Sequence, residues 1–118
     1  MLEFLNKIHL RGIVGISDVK DFQGKKYIRC SVVTEYAYKD QNNETIIETF
    51  WINVIAYEGK KISGEDILNV KKGTKIEVVG RLKSFSYTTP EGNRRSVIEV
   101  IANEIHIIDE DTLTIPEE

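Results

Sequence analysis

A single cysteine, Cys30, stands among the 118 residues, so no disulfide can close within the chain, and a reducing, cytoplasmic setting is expected. No apolar run approaches the roughly 20 residues of a membrane-spanning helix. The opening Met1-Leu2-Glu3-Phe4-Leu5 has neither the basic end nor the long apolar stretch of a signal peptide. Histidines number only two, and His9, His106 and Cys30 fit no metal-ligand spacing. Gly24-Lys25-Lys26 lacks the preceding glycine and the Ser/Thr of a phosphate-binding loop. No Ser, Cys or carboxylate stands with a base at a recognisable catalytic spacing. The chain is therefore expected to be no enzyme and to carry no cofactor. Internal repeats and low-complexity segments are also missing.

The composition that remains, 41% hydrophobic and 30% charged, suits one soluble globular domain with a real core. The net charge of −3 is unevenly spread. Beyond residue 103 there are six acids (Glu104, Asp109, Glu110, Asp111, Glu117, Glu118) and no Lys or Arg. Setting these aside leaves 13 acids against 16 bases over residues 1–103, a mildly basic body with an acidic end. Such a body permits a nucleic-acid partner without demanding one.

Period-two alternation predicts five strands. The first, over residues 5–16, puts Ile8, Leu10, Gly12, Val14 and Ile16 on one face, with Gly12 and Gly15 suited to a bulge or bend. The second covers residues 26–34, with Ile28, Cys30 and Val32 as its apolar face. A long connection starting near Tyr36 contains the turn pair Asn42-Asn43. The third strand, residues 48–57, alternates Phe50, Ile52, Val54 and Ala56 against Trp51, Asn53, Ile55 and Tyr57. Between residues 59 and 72 the alternation stops; Ser63 ahead of Glu65 and Asp66 predicts a capped helix of two or three turns. The fourth strand, residues 74–87, the turn Pro90-Glu91-Gly92-Asn93 and the fifth strand, residues 95–108, complete the pattern. Three strands, a helix and a two-stranded hairpin form the order of the OB-fold, an all-β five-stranded barrel with one short helix between strands three and four. The expected domain runs over residues 1–108 and a short acidic tail over 109–118.

The fourth strand carries the most informative run, Arg81-Leu82-Lys83-Ser84-Phe85-Ser86-Tyr87. Alternate side chains share a strand face, so Arg81, Lys83, Phe85 and Tyr87 point one way. Two cations and two rings on one exposed ribbon can hold phosphates and stack bases, as sequence-independent binders of single strands do. Trp51 and Tyr57 share a face of the third strand, and Tyr36 and Tyr38 sit beside Lys39 where the second strand enters its loop. Leu, Ile and Val fill the opposite faces. Candidate stacking residues are thus Tyr38, Trp51, Tyr57, Phe85 and Tyr87; candidate phosphate contacts are Lys7, Arg11, Lys39, Arg81, Lys83, Arg94 and Arg95. The same aromatics would also serve a protein-interaction module, or an RNA-binding one, on this fold.

Three segments together resemble bacterial single-stranded-DNA-binding proteins, over residues 5–108. Asn6-Lys7-Ile8-His9-Leu10-Arg11-Gly12-Ile13-Val14-Gly15 is similar to the family's opening. Glu48-Thr49-Phe50-Trp51 is similar to its Thr-x-Trp signature, and Lys72-Gly73 with Ile76-Glu77-Val78-Val79-Gly80-Arg81-Leu82 to its fourth strand. The resemblance implies sequence-independent binding and protection of single-stranded DNA in replication, recombination and repair. It places stacking at Tyr38, Trp51, Tyr57 and Tyr87, and implies a homotetramer of paired dimers. Two departures stand out. Ile52 and Asn53 replace the family's His and Arg, so no phosphate contact carries over to Asn53. The acids of Asp109-Glu110-Asp111 and Ile115-Pro116-Glu117-Glu118 end without the family's closing Pro-Phe, so recruitment of replication proteins by the tail does not carry over either.

Overall fold

The structure, a computed structural model, describes residues 3–108; the expected acidic tail lies outside the described residues. Five strands, β1 (Ile8–Phe22), β2 (Lys25–Lys39), β3 (Thr45–Tyr57), β4 (Lys75–Thr88) and β5 (Arg94–Ile107), with one helix, α1 (Gly64–Leu68), follow one another along the chain. The strands close into a barrel in the order β1-β2-β3-β5-β4. All neighbours are antiparallel except β3 and β5, which run parallel and pair only at Val54–Val100 and Ile55–Ile101. This is the five-stranded all-β barrel that the alternation predicts.

Inward-facing Val14, Ile28, Val32, Val54, Ile76, Val78 and Val100 are almost fully buried. Burying each such side chain contributes about 1.5–3 kcal/mol before conformational costs. The α1 helix closes the barrel over them with Ile67, which has no exposed surface. It starts where the sequence indicates: the Ser63 hydroxyl accepts from the Asp66 N–H at 3.0 Å, and the Asp66 carboxylate accepts from the Ser63 N–H at 3.3 Å. It spans five residues, shorter than the two or three turns expected. The Asn69 N–H bonds to both Glu65 and Asp66 carbonyls and Val70 turns back to Ile67, so the chain leaves the helix to bury Val70.

Strand boundaries differ too: β1 starts at Ile8 rather than at residue 5, and two larger differences have local reasons. The β1 strand runs past Ile16 to Phe22 because a bulge between Val14 and Ser17 resets the alternation. Beyond it Ser17 pairs with Cys30 and Val19 with Ile28, while Ile16, expected inside, is 72% exposed. The Ser31 hydroxyl holds the bulge by accepting from the Ile16 N–H at 3.0 Å. The connection expected to begin near Tyr36 is instead a long ribbon: β2 and β3 stay paired out to Lys39–Thr45. Asp40 makes this possible, its carboxylate accepting from the Asn42 and Glu44 N–H groups at 2.8 and 2.9 Å, with Asn43 at φ 63°.

Of the two glycines expected to permit bending, Gly12 lets backbones cross, as does Gly80, which the sequence pattern does not single out. A Cβ on Gly12 would lie 2.2 Å from the Val33 carbonyl oxygen, and one on Gly80 would lie 2.1 Å from that of Ile101.

Cys30 lies buried in the barrel, and desolvation pushes its thiol up to about 11, so it is protonated at neutral pH.

Candidate nucleic-acid interface

Cross-strand register decides which exposed rings share a surface. The row Arg29–Ile55–Ile101–Arg81 crosses β2, β3, β5 and β4 on the face turned away from the core cluster, with Ile55 and Ile101 themselves buried beneath their neighbours. Alternation then places Trp51 and Tyr57 of β3 on the same outer face as Arg81, Lys83, Phe85 and Tyr87 of β4 and Arg95 of β5. All four rings are exposed: Trp51 63%, Tyr57 52%, Phe85 39% and Tyr87 50%. Tyr57 lies two residues to one side of that row and Tyr87 six to the other, so the rings span roughly 26 Å at ~3.3 Å per residue.

Each part of this face has a local cause. Beyond Gly80 the pairing of β1 with β4 ends, and Asn6 takes it over, its amide donating to the Leu82 carbonyl and accepting from the Leu82 N–H, both at 2.8 Å. From there β4 and β5 project as a two-stranded ribbon closed by Thr89, Gly92 and Asn93. On it Lys83 lies 6.0 Å from the centroid of Phe85, and Tyr87 pairs with Arg95. Trp51 pairs with Val33 and leans over Gly15, where a Cβ would meet its Cζ3 at 2.5 Å. Gly15 thus makes room for one edge of the indole while the rest stays exposed.

The remaining candidates are placed less uniformly. Tyr38 is 41% exposed but pairs with Ile46 on the reverse of the β2–β3 ribbon, beside Tyr36 (centroids 6.1 Å apart), and so does not share a face with Trp51. Lys39 does share the Trp51 face, near the ribbon tip. Arg94 departs from the expected cluster: it alternates away from Arg95, and its guanidinium donates to the Ser86 hydroxyl at 3.0 Å on the reverse of the β4–β5 ribbon. Lys7 precedes β1 next to Asn6. Arg81 donates to the Asn103 side chain at 3.2 Å.

Arg11 is already engaged. Its guanidinium lies 2.9 Å from a Glu77 carboxylate oxygen that His9 also approaches at 3.0 Å. Hydrogen bonds from Arg11 and then His9 hold the Glu77 carboxyl below the usual range. The pair therefore persists into acid and is lost only as pH falls through that lowered value. A phosphate reaching Arg11 must compete with Glu77, so Glu77→Gln is expected to tighten binding to an anionic strand at low salt and leave it unchanged at high salt. Equal affinity of both proteins at low salt would remove Arg11 from the interface.

Two rings escape the sequence reading: Phe22, beyond the expected end of the first strand, and Tyr27. Tyr27 pairs with Tyr57 across β2 and β3, with ring centroids 5.8 Å apart. Its signal was the odd-numbered face of the second strand, but only the register reveals its partner.

No cluster of three or more His, Cys, Asp or Glu suited to a metal occurs among the described residues. Among them too, no helix is long and apolar enough to cross a membrane.

Several known proteins are similar to this chain. The chain is 35% identical over 108 residues to single-stranded DNA-binding protein 1 of Xylella fastidiosa, a match covering 88% of this chain and 77% of that protein. It is 28% identical to the single-stranded DNA-binding protein of Neisseria meningitidis, over 88% of this chain and 60% of that one. The fold superposes on a Plasmodium falciparum SSB complex with ssDNA at a TM-score of 0.75 and 25% identity, covering 92% of this chain and 99% of that chain. The model of the single-strand binding protein family matches residues 5–108, all but the two ends of the chain, and the chain belongs to that family.

Proposed function

We propose that the chain binds and protects single-stranded DNA without regard to sequence, stacking bases on Trp51, Tyr57, Phe85 and Tyr87 and holding phosphates with Arg81, Lys83 and Arg95. The observation that carries this reading is that these residues share one outer face of the barrel. Exposed rings accept any base, and cations between them release counterions from the strand. Tyr38 and Lys39 extend the surface along the β2–β3 ribbon for a strand that wraps around it, while Lys7, Arg11 and Arg94 are peripheral. Residues 1–108 form the binding domain. The protein acts in the cytoplasm, where a lone buried Cys30 suits the reducing conditions. It works as a homotetramer in replication, recombination and repair, as its family membership supports.

Titrating the intrinsic fluorescence of Trp51, the only tryptophan, with oligo-dT tests the reading directly. Strong quenching is expected; a fluorescence that no oligo-dT or oligo-rU alters would instead favour a protein-interaction module. Affinity measured against salt should fall with a log–log slope of about −0.7 per neutralised phosphate. Arg81→Ala or Lys83→Ala should flatten that slope by roughly 0.7 without creating a base preference, and a slope that neither variant changes would exclude both contacts.

The acids beyond residue 108 form a tail that competes with phosphates for the basic face. Ending the chain after Ile108 is then expected to tighten oligo-dT binding at low salt, where screening is weak, and to have no effect as salt rises. Identical affinity at every salt would leave the tail without this role.

A further inference from the structure

The outer face continues beyond Tyr57 into an open cleft of about 420 Å³ lined by Phe22, Lys25, Lys26, Tyr27, Tyr57 and Glu58. That volume falls in the ~300–1,000 Å³ range of small-ligand sites. We propose that this cleft is a terminal subsite for one nucleotide of the bound strand, its base stacked on Tyr27 and its phosphate held by Lys25. The inference rests on the single-strand-binding reading and extends it to a site at the β1–β2 turn.

Four observations converge here. Tyr27 and Tyr57 form a tilted pair, 33° between ring planes. With centroids only 5.8 Å apart they leave no gap for an inserted base, but they present a joint aromatic surface. Phe22, 64% exposed, supplies a third ring at the cleft edge.

Among the surrounding charges one lysine is left to meet an anion. Lys26 is paired with Asp21 at 3.1 Å, and Lys20 lies 3.6 Å from Asp18. The Glu58 carboxylate accepts from the Lys26 N–H at 2.8 Å. Lys25 has no ion pair among the described residues, nor do Lys60 and Lys61 in the depression on the other side of Tyr57.

The cleft is also continuous with the rest of the site. That second depression runs past Tyr57 to Asn103, which receives the Arg81 guanidinium. A strand lying along Lys83 and Arg81 therefore meets Lys60, Lys61 and Tyr57 before it reaches Tyr27. Finally, the turn is well defined: Gln23 and Gly24 take φ values of 52° and 80°, and the Lys26 backbone is anchored to Glu58.

The test uses full-length protein and a ladder of fluorescein-labelled oligo-dT of increasing length, read by anisotropy. Tyr27→Leu should bind the short oligonucleotides as the parent does, and those long enough to pass Tyr57 about five- to 140-fold more weakly. The length of DNA covered should shrink by about one nucleotide per protomer. Tyr27→Phe should restore parental binding, and Lys25→Gln should weaken only the long oligonucleotides. Parental affinity of Tyr27→Leu and Lys25→Gln at every length would overturn the subsite while leaving the proposed function intact, as would an equal loss at every length. A parent that binds no oligo-dT would overturn both.

Discussion

Replacing Trp51 by alanine should weaken oligo-dT binding by roughly 1–3 kcal/mol, the worth of one base stacked on an exposed ring. Folding should be little affected. Trp51 is 63% exposed and packs over a glycine on the outside of the barrel, so few buried contacts are lost. Tyr87, 50% exposed on the projecting β4–β5 ribbon, should behave alike. Because Trp51 is also the only intrinsic tryptophan probe, the variant must be followed by anisotropy of labelled oligo-dT. Stability is checked separately by urea denaturation. Parental affinity in the Trp51 variant would remove the indole from the binding face. Loss of cooperative unfolding would show that its contact with β1 holds the barrel together.

Gly80→Val is expected to act the other way, through the fold. A Cβ at this position would lie 2.1 Å from the Ile101 carbonyl oxygen, 2.9 Å from its carbon and 3.1 Å from the Ala102 Cα, all of them backbone. No side chain can rotate to relieve the clash, so β4 and β5 must separate at the bulge between Val79 and Gly80. Overpacking usually costs about 1–3 kcal/mol and occasionally more; a rigid backbone clash belongs at the upper end, a large share of a marginal stability. Gly59→Ala supplies the contrast, since nothing lies within 4 Å of its added Cβ. Urea denaturation should show a large drop in midpoint for the first and little change for the second. Unchanged stability in Gly80→Val would mean that the strands part without cost at that crossing.

Period-two alternation within single strands is enough to recover the Arg81–Tyr87 row, the placing of Trp51 with Tyr57 on one face, and the order of elements along the chain. These are local patterns, and the buried residues opposite them reinforce the reading. Whatever depended on contacts between distant residues was not legible. Tyr27 could not be joined to Tyr57 without the β2–β3 register, and Tyr38 could not be assigned to the reverse of its ribbon. Alternation alone puts Ile16 inside, because the bulge that turns it outward depends on pairing with β2. The long β2–β3 ribbon is hard to see in the sequence because its polar, aromatic outer half carries little core pattern; its one local signal is the Asp40 side chain that closes the turn. Arg94 is a different kind of miss. Adjacent strand residues face opposite ways, so Arg94 and Arg95 could have been separated from the sequence alone.

The parallel seam has a consequence for assembly of the barrel. The two long hairpins, β2–β3 and β4–β5, join residues close in the chain and can form early, whereas β3 meets β5 at only two residue pairs, 46 positions apart. Closing such a distant contact is costly in chain entropy and returns few hydrogen bonds until the whole cylinder is complete. Tyr57 and the cleft beside it flank this joint, while the β4–β5 ribbon carrying Phe85 and Tyr87 is complete without it. A nascent chain would therefore display part of its aromatic surface before the barrel shuts. A strand spanning both sides of the joint would bind only the closed form, and by mass action would act as a clasp that keeps it shut.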